Sequence, residues 1–491
     1  MTNAYDRWWS VLARVPGAAR LRGVVQILVQ DAMVEVLRSV DGLIDRPNAT
    51  EADILLDVEG RFWAPTSPDR KVRGRLRWNR QLGTLALEGL LRQVPNATTD
   101  KLDVIVGRSM LGEPLCLTDC FVHKTQIAVV QHPQTWTVNR TLVGVETPVP
   151  QIKGVELRIA GMRGFYGTPL VSPERESAGT REKVTISWQS SPELSVTLDD
   201  VQVIFDDDWS VSGTASDFGL HATPRVRLVA SHDAVEADLD PLVGPLMLLI
   251  GICLNRDVDV DETRLLLVDD QQARRLDGRR VVLDPDSEVQ PWLGLGNLEP
   301  QQRTFERWFA FCRELPKAIA MVAEYLRAGP ATPWEDRLLY LARFVEQYHR
   351  ARHNSLRMSK ADFRAQRKLA RDGLGGELGE WVFGLSEHAN ERALAERLQE
   401  LVDLYSPALS GALGADSGRF AQETADTRNY YTHYGEHLAD KAATEMELVV
   451  LTDRLWALVR ACLLHEMGFD LEQSQTMLAL DSKLGWLSRK A

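Results

Sequence analysis

The sequence is poor in most features that give a function away. Five cysteines occur in 491 residues, Cys116, Cys120, Cys253, Cys312 and Cys462, an odd number spread over three regions. That fits neither a disulfide framework nor a zinc knuckle. Only Cys116 and Cys120 lie close together; on one strand they would point the same way, and a buried pair of free thiols is expected over a metal or redox pair. Positive charge is not in excess: 57 Lys and Arg stand against 69 Asp and Glu, for a net charge of −12. Indiscriminate polyanion binding is therefore excluded as the main function, and any nucleic-acid contact has to be local and salt-sensitive. The most apolar run, Pro241–Leu254, is shorter than the ~20 residues of a bilayer span and reads as a buried helix. The N-terminus has no basic segment feeding a long apolar core, so a cytoplasmic protein without a membrane partner is expected. No glycine-rich phosphate loop with a following Lys-Ser/Thr and no serine-centred nucleophile elbow occurs, so nothing points to an NTPase or an α/β-hydrolase.

What is present changes texture along the chain. About 44% apolar and 26% charged residues are ordinary for a soluble protein, and the length predicts two or three domains. Residues 1–52 read as a mainly helical extension, on the near-3.6 period of "VVQILVQDAMVEVLRSV". Residues 53–295 carry short β-rich runs between glycines, prolines and acidic turns, among them "KLDVIVG", "QTWTVNRTLVGV", "GVELRIAG" and "VQVIFDDDWSVSG". No helix separates them regularly, so a large antiparallel β domain is expected rather than a doubly wound sheet. "DDDWS", Asp206–Ser210, reads as an acidic turn in preference to a divalent-metal site. Residues 298–491 read as five or six amphipathic helices forming a bundle. In "ATPWEDRLLYLARFVEQYHR", Thr332 is the predicted N-cap, Pro333 the first helical position and Glu335 the partner in a capping box. "DGLGGELGE" reads as a glycine-rich link, and "EMELVVLTDRLWALVRACLLHEMGF" as a long amphipathic helix. The expected fold class is multidomain α+β, a large antiparallel β-rich N-terminal domain followed by a C-terminal all-α bundle.

The candidate site is "TRNYYTHYGEH", Thr427–His437. Arg428, Asn429, Tyr431, His433, Tyr434 and His437 crowd one helical segment, and burying them together is costly unless acceptors surround them. Structural ion pairs and caps are one reading. A metal site at His433 and His437 is a second; the pair is four apart, but Glu436 immediately precedes the second histidine, which is not His-Glu-x-x-His, and a third ligand is missing. No metal and no cofactor is expected. RNA cleavage is the third. It requires deprotonation of a 2′-OH, charge stabilisation at phosphorus and protonation of the 5′-oxygen. Histidine, with an unperturbed pKa of about 6.5, is the proton carrier. Arginine offers a permanent charge on a rigid donor fork, asparagine can orient either group, and tyrosines can stack on a base. One segment supplies a single central proton carrier, and a twofold dimer would bring a second. Arg428 and His433 are five residues apart, about 7.5 Å of rise and a rotation of about 140°. That spacing requires a bend near Gly435, a helix–helix seam, or a second copy.

"RNYYTH" resembles the arginine–four residues–histidine motif of the HEPN ribonucleases, and its setting before the helix ending "LLHEMGF" resembles the C-terminal domain of ApeA-like anti-phage proteins. "GRFWAP", "VRGRLRW", "LGTLALEGLL", "VIVGRSMLGEPLCLTDC" and "GMRGFYG" resemble that family's N-terminal region. The resemblance covers about residues 53–491. It implies a helical HEPN-like bundle that homodimerises and a composite, metal-independent endoribonuclease site. It also implies abortive infection as the biology, RNA (tRNA among its targets) as partner and substrate, and a β-rich domain that senses a trigger such as a phage product. Carried over by position, Arg428 and His433 are the implied catalytic pair, with Asn429 supporting. Tyr431, Tyr434, His437 and Glu346 in "RFVEQYHR" are candidate substrate contacts; Glu346 could instead orient the arginine or histidine from a neighbouring helix. HEPN toxins silenced by nucleotidylation carry the modified tyrosine two residues after the histidine; here that position is Gly435, and tyrosine stands at 434. A dimerising or RNA-binding scaffold without catalysis is the main alternative, and a metal-dependent hydrolase the lesser one. His349 and His353, four apart among arginines, read as a basic patch near an RNA path or as a solvated face.

Overall fold

The computed structural model describes residues 54–79, 82–91, 101–125, 134–159, 161–166, 170–178, 181–189, 194–214, 217–277, 291–298, 301–329, 331–409, 412–413, 417–481, 484 and 487. The helical reading of residues 1–52 lies outside them. The described chain falls into two compact units.

The first unit comprises Met1–Gly112, Thr118–Arg140 and Asp277–Arg279. It contains strands β1 (Ile54–Trp63), β2 (Val72–Asn79), β3 (Gly83–Leu87) and β4 (Lys101–Ser109), with most of β5 (Pro114–Thr125) and β6 (Gln134–Val143). Their order is β6-β3-β2-β1-β4-β5, and β5 also pairs with β6, which closes the ring. The alternation in the sequence explains the core. Leu76 and Trp78 face in while Arg75 and Arg77 face out, and Arg75 holds Asp57 across the β1–β2 pair at 2.6 Å. Gly83 permits the Trp78 ring to lie flat on the neighbouring backbone, where a Cβ would collide with it. Trp136 and Val138 of β6 are buried as their alternation predicts.

The second unit comprises Glu113–Leu117, Thr141–Leu276 and Arg280–Ala491. Its sheet has the order β10-β11-β12-β7-β13-β14, from β7 (Ile152–Ile159), β10 (Leu194–Leu198), β11 (Val201–Thr214), β12 (Asp217–Ala234), β13 (Val260–Leu267) and β14 (Gln272–Asp277), all antiparallel. A separate hairpin is made by β8 (Leu170–Ala178) and β9 (Arg181–Gln189). One sheet face is apolar, with Val155, Leu157, Val203, Phe205, Val226, Leu228 and Leu265 buried. The other is ionic. Here the sequence reading needs correction: Asp206–Ser210 is not a turn but the middle of β11. Arginines hold its carboxylates in the sheet. Arg225 reaches Asp206 at 2.7 Å and Arg158 reaches Asp208 at 2.7 Å. The buried Glu156 accepts from Arg225 at 3.1 Å.

Between these strands lie α1 (Met162–Tyr166) and α2 (Glu236–Leu254). By length and composition α2, 19 residues long, could cross a membrane, with a mean hydropathy of 1.7 over an 18-residue window. It starts five residues before the apolar run read from sequence, packs against β7 and β12, and buries Leu239, Leu246, Leu249 and Ile250.

Nine further helices follow among the described residues: α3 (Gln301–Glu314), α4 (Pro316–Arg327), α5 (Trp334–Arg352), α6 (Lys360–Leu374), α7 (Gly376–Leu385), α8 (Leu394–Leu409), α9 (Ser417–His433), α10 (Glu445–Met467) and α11 (Leu471–Ala479). Helix α10 is not an amphipathic surface helix. It is buried nearly all round, from Leu448 through Met467, with α3, α5, α8, α9 and α11 about it. The predicted capping box is also absent: α5 starts at Trp334, Pro333 is the N-cap residue and no side chain caps. Gln302 at the start of α3 hydrogen-bonds both Thr197 N and Thr197 O, at 2.9 and 2.7 Å, occupying the backbone of edge strand β10.

His349 corrects the reading of the His349–His353 pair as a basic patch or a solvated face. It is fully buried, its Nε2 lies 3.0 Å from Glu400 Oε2, and its ring stacks on His353 at 5.1 Å. Burial outweighs Glu400 and holds the imidazole below its ordinary value of 6.5. The neutral ring is thus preferred in the folded chain, and its stabilisation is present above pH 6.5 and lost as pH falls through the folded value. The stability gap between wild type and His349→Gln is therefore expected to narrow from pH 7 to pH 5 in thermal melts; a constant gap would refute the assignment.

Candidate active site

The chain runs into α9 after a short connection, and the buried face of that helix fixes its azimuth. Phe420, Ala421, Thr424, Ala425 and Thr427 are buried, at helical spacing. Thr427 Oγ1 accepts the Ala443 amide at 2.9 Å, and Tyr431 Oη donates to Ala443 O at 3.2 Å, so both tie α9 to the segment leading into α10. Neither Thr427 nor the structural role of Tyr431 was evident from sequence; a threonine on the apolar stripe was the available signal.

With that face fixed, Arg428 turns toward α5. Its Nη2 lies 3.3 Å from Glu346 Oε1, and its Nη1 donates to Asn429 Oδ1 at 3.0 Å. The two charged side chains are each 23% exposed, so the guanidinium is anchored yet reachable. Glu346, Arg428 and Asn429 are thus brought together. The carboxylate sits where it can hold the fork in one orientation, and the remaining donors stay available to an oxyanion.

His433 is the last residue of α9 and is exposed. No described residue hydrogen-bonds its imidazole. The helix does not bend near Gly435; it ends at His433, and the next residue, Tyr434, takes a left-handed φ of 50° and donates its amide to Tyr430 O at 2.6 Å. Gly435 has an ordinary φ of −71°. Arg428 and His433 therefore keep the rotation of a regular helix, about 140° apart. One faces α5 and the other faces solvent, and the fold does not bring them into contact.

The tyrosines form a cluster. Tyr430 meets Tyr431 at 5.1 Å and Tyr434 at 5.8 Å, both edge-on, and Tyr434 is 69% exposed. Burial, with the nearby Glu335 charge, raises the Tyr431 hydroxyl, which stays a neutral donor. His437 lies in the 3-10 turn Glu436–Leu438, beyond the end of α9, so it does not share a helix face with His433. A Cβ on Gly435 would press on the His437 ring, which the glycine admits. Among the described residues, no three His, Cys, Asp or Glu side chains converge as a metal-ion site.

Two protein-family models match the chain. Residues 339–473 match the Apea-like HEPN family and residues 57–284 match ApeA N-terminal domain 1. No curated protein and no solved structure matches it.

Proposed function

The chain is an ApeA-like protein with an N-terminal ApeA domain and a C-terminal Apea-like HEPN domain, a HEPN-type ribonuclease of anti-phage defence, and from this we propose that Arg428 and His433 form one half of its RNA-cleaving site. The observation that carries the reading is the anchored Arg428–Glu346–Asn429 group, with Arg428 five residues before an exposed histidine that has no partner among the described residues, inside the matched HEPN segment.

In this reading the scissile phosphate lies on Arg428, whose fixed fork neutralises the charge that grows on its oxygens. An imidazole takes the proton from the ribose 2′-OH, and the oxygen attacks phosphorus in line. The bond to the 5′-oxygen breaks, and an imidazolium protonates that leaving oxygen. One chain supplies one such imidazole at the site. His433 of a second copy supplies the other, which makes the active species a homodimer. Tyr434, exposed beside His433, stacks on an unpaired base of the substrate. The first RNA to assay is tRNA. The ApeA domain serves as the sensor whose occupation, by a phage product, releases the nuclease in abortive infection.

The products are then a 2′,3′-cyclic phosphate and a 5′-OH, formed without a metal ion. Cleavage of RNA by the activated protein is expected to persist in EDTA and to give 5′ ends that accept phosphate from polynucleotide kinase without prior phosphatase. Activity that EDTA abolishes, or 5′-phosphate products, would reject the mechanism.

A further inference from the structure

Helix α5 carries four arginines, Arg337, Arg343, Arg350 and Arg352. Three of them are spent within the fold. Arg337 donates to the Gly329 carbonyl and lies 4.5 Å over the Trp334 ring. Arg350 reaches Glu391 at 2.9 Å, and Arg352 holds Glu466 at 3.0 Å and Glu314 at 2.7 Å. Arg343 is exposed, and no described residue accepts from its guanidinium.

The contacts between α5 and α9 fix where this free cation stands. Glu335, Leu339, Arg343, Glu346 and Arg350 recur at helical spacing and form one stripe of α5, within about 80° of arc. That stripe meets α9 at two points. Glu346 holds Arg428 at 3.3 Å. Near the start of α5, Glu335 lies close enough to Tyr431 for its charge to act on the hydroxyl. Helix α9 therefore runs antiparallel to α5. Arg343 stands between the two points, about 4.5 Å of rise from Glu346, on the side of Arg428 that leads to His433. The carboxylate three residues on, Glu346, is already taken by Arg428. Two guanidinia thus share one carboxylate, and in a chain of net charge −12 this local surplus draws an anion.

We propose that Arg343 binds the phosphate next to the scissile one, and so sets the path of the RNA strand along α5. The proposal rests on the assignment of the scissile phosphate to Arg428. A strand leaves that phosphate in both directions, and Arg343 is the unpaired cation of α5 beside it. Its planar fork suits phosphate oxygens as that of Arg428 does. Nothing fixes its orientation, however, as Glu346 fixes the orientation of Arg428. It therefore holds substrate and transition state alike, and does not single out the charge that grows at phosphorus. A carboxylate of a second copy is the competing acceptor.

The test uses the full-length chain and fluorescein-labelled tRNA, in the His433→Ala background. Arg343→Gln is expected to weaken binding about tenfold. The slope of log affinity against log salt is expected to fall by about 1, the loss of one phosphate contact. Arg303→Gln makes the same change of charge at an exposed arginine of α3, which packs on β10 and α10, and is expected to alter neither. With His433 intact, Arg343→Gln is expected to raise KM far more than it lowers kcat, the reverse of Arg428→Ala. Arg343→Lys keeps the charge and is expected to restore most of the salt slope. A slope and a KM that Arg343→Gln leaves unchanged overturn the proposal. So does a halved mass in light scattering at unchanged slope, which assigns Arg343 to the second copy. The catalytic reading fails separately: it falls if His433→Ala cleaves at the wild-type rate, whereas the salt slope decides Arg343.

Discussion

His433→Ala is expected to lower RNA cleavage by the activated protein about 10³-fold, within the 10²- to 10⁴-fold span of a lost general acid or base. Two such imidazoles act in the proposed site and both are removed by one substitution, which puts the loss at the upper half of that range. Arg428→Ala is expected to cost about 10²- to 10³-fold, the scale of a lost oxyanion donor. Arg428→Lys keeps the charge but not the fork, and is expected to recover little of the loss. Glu346→Gln tests positioning separately. The Arg428 charge stays, its anchor at 3.3 Å weakens, and a loss of about tenfold in kcat with little change in KM is expected. Cleavage by His433→Ala at the wild-type rate, measured on the same tRNA with the same trigger, would remove the site from α9 altogether.

The sequence shows which residue types this segment holds better than how they are placed. "RNYYTH" is contiguous, so its residue types could be read directly, and the antiparallel β region followed from alternation within single strands. The Glu346–Arg428 contact joins residues 82 apart, and a sequence shows neither partner facing the other. The end of α9 was hidden for a different reason. A glycine at 435 invites a prediction of the turn there, yet the left-handed residue is Tyr434, held by its ring contacts with Tyr430 and Tyr431. "DDDWS" was misread because three adjacent acids suggest solvent. Arg158, Arg225 and Arg227 come from two other strands and turn the run into an ionic sheet face. His349 failed in the same direction: its arginine neighbours in sequence suggest solvent, while the ring itself points at Glu400. In each case the deciding partner is distant in sequence.

The largest expected effect on stability lies away from the site, at Arg460 in the middle of α10. Its side chain is 2% exposed, its Nη1 donates to Asp481 Oδ2 at 2.6 Å, and its guanidinium lies 4.7 Å over Trp292 and 5.5 Å over Trp456. Trp292 in turn donates to the Ile252 carbonyl at the end of α2, and Trp456 donates to Asn255 Oδ1 at 2.7 Å. One buried cation thus joins the end of α2, the approach to α3, α10 and the chain after α11. Removing it alone, as in Arg460→Ala, takes this ion pair from the buried Asp481 carboxylate and opens a cavity between two indoles. The loss expected is about 3–5 kcal/mol, a fall on the order of 5 °C in the melting of this unit. Asp481→Leu is expected to cost a similar amount, by stranding the cation. The double variant Arg460→Met with Asp481→Leu leaves no buried charge, and should recover most of what either single change loses. Strictly additive losses in thermal melts would show that the pair is not coupled, and would put the stabilisation in the arginine's packing against the two tryptophans instead.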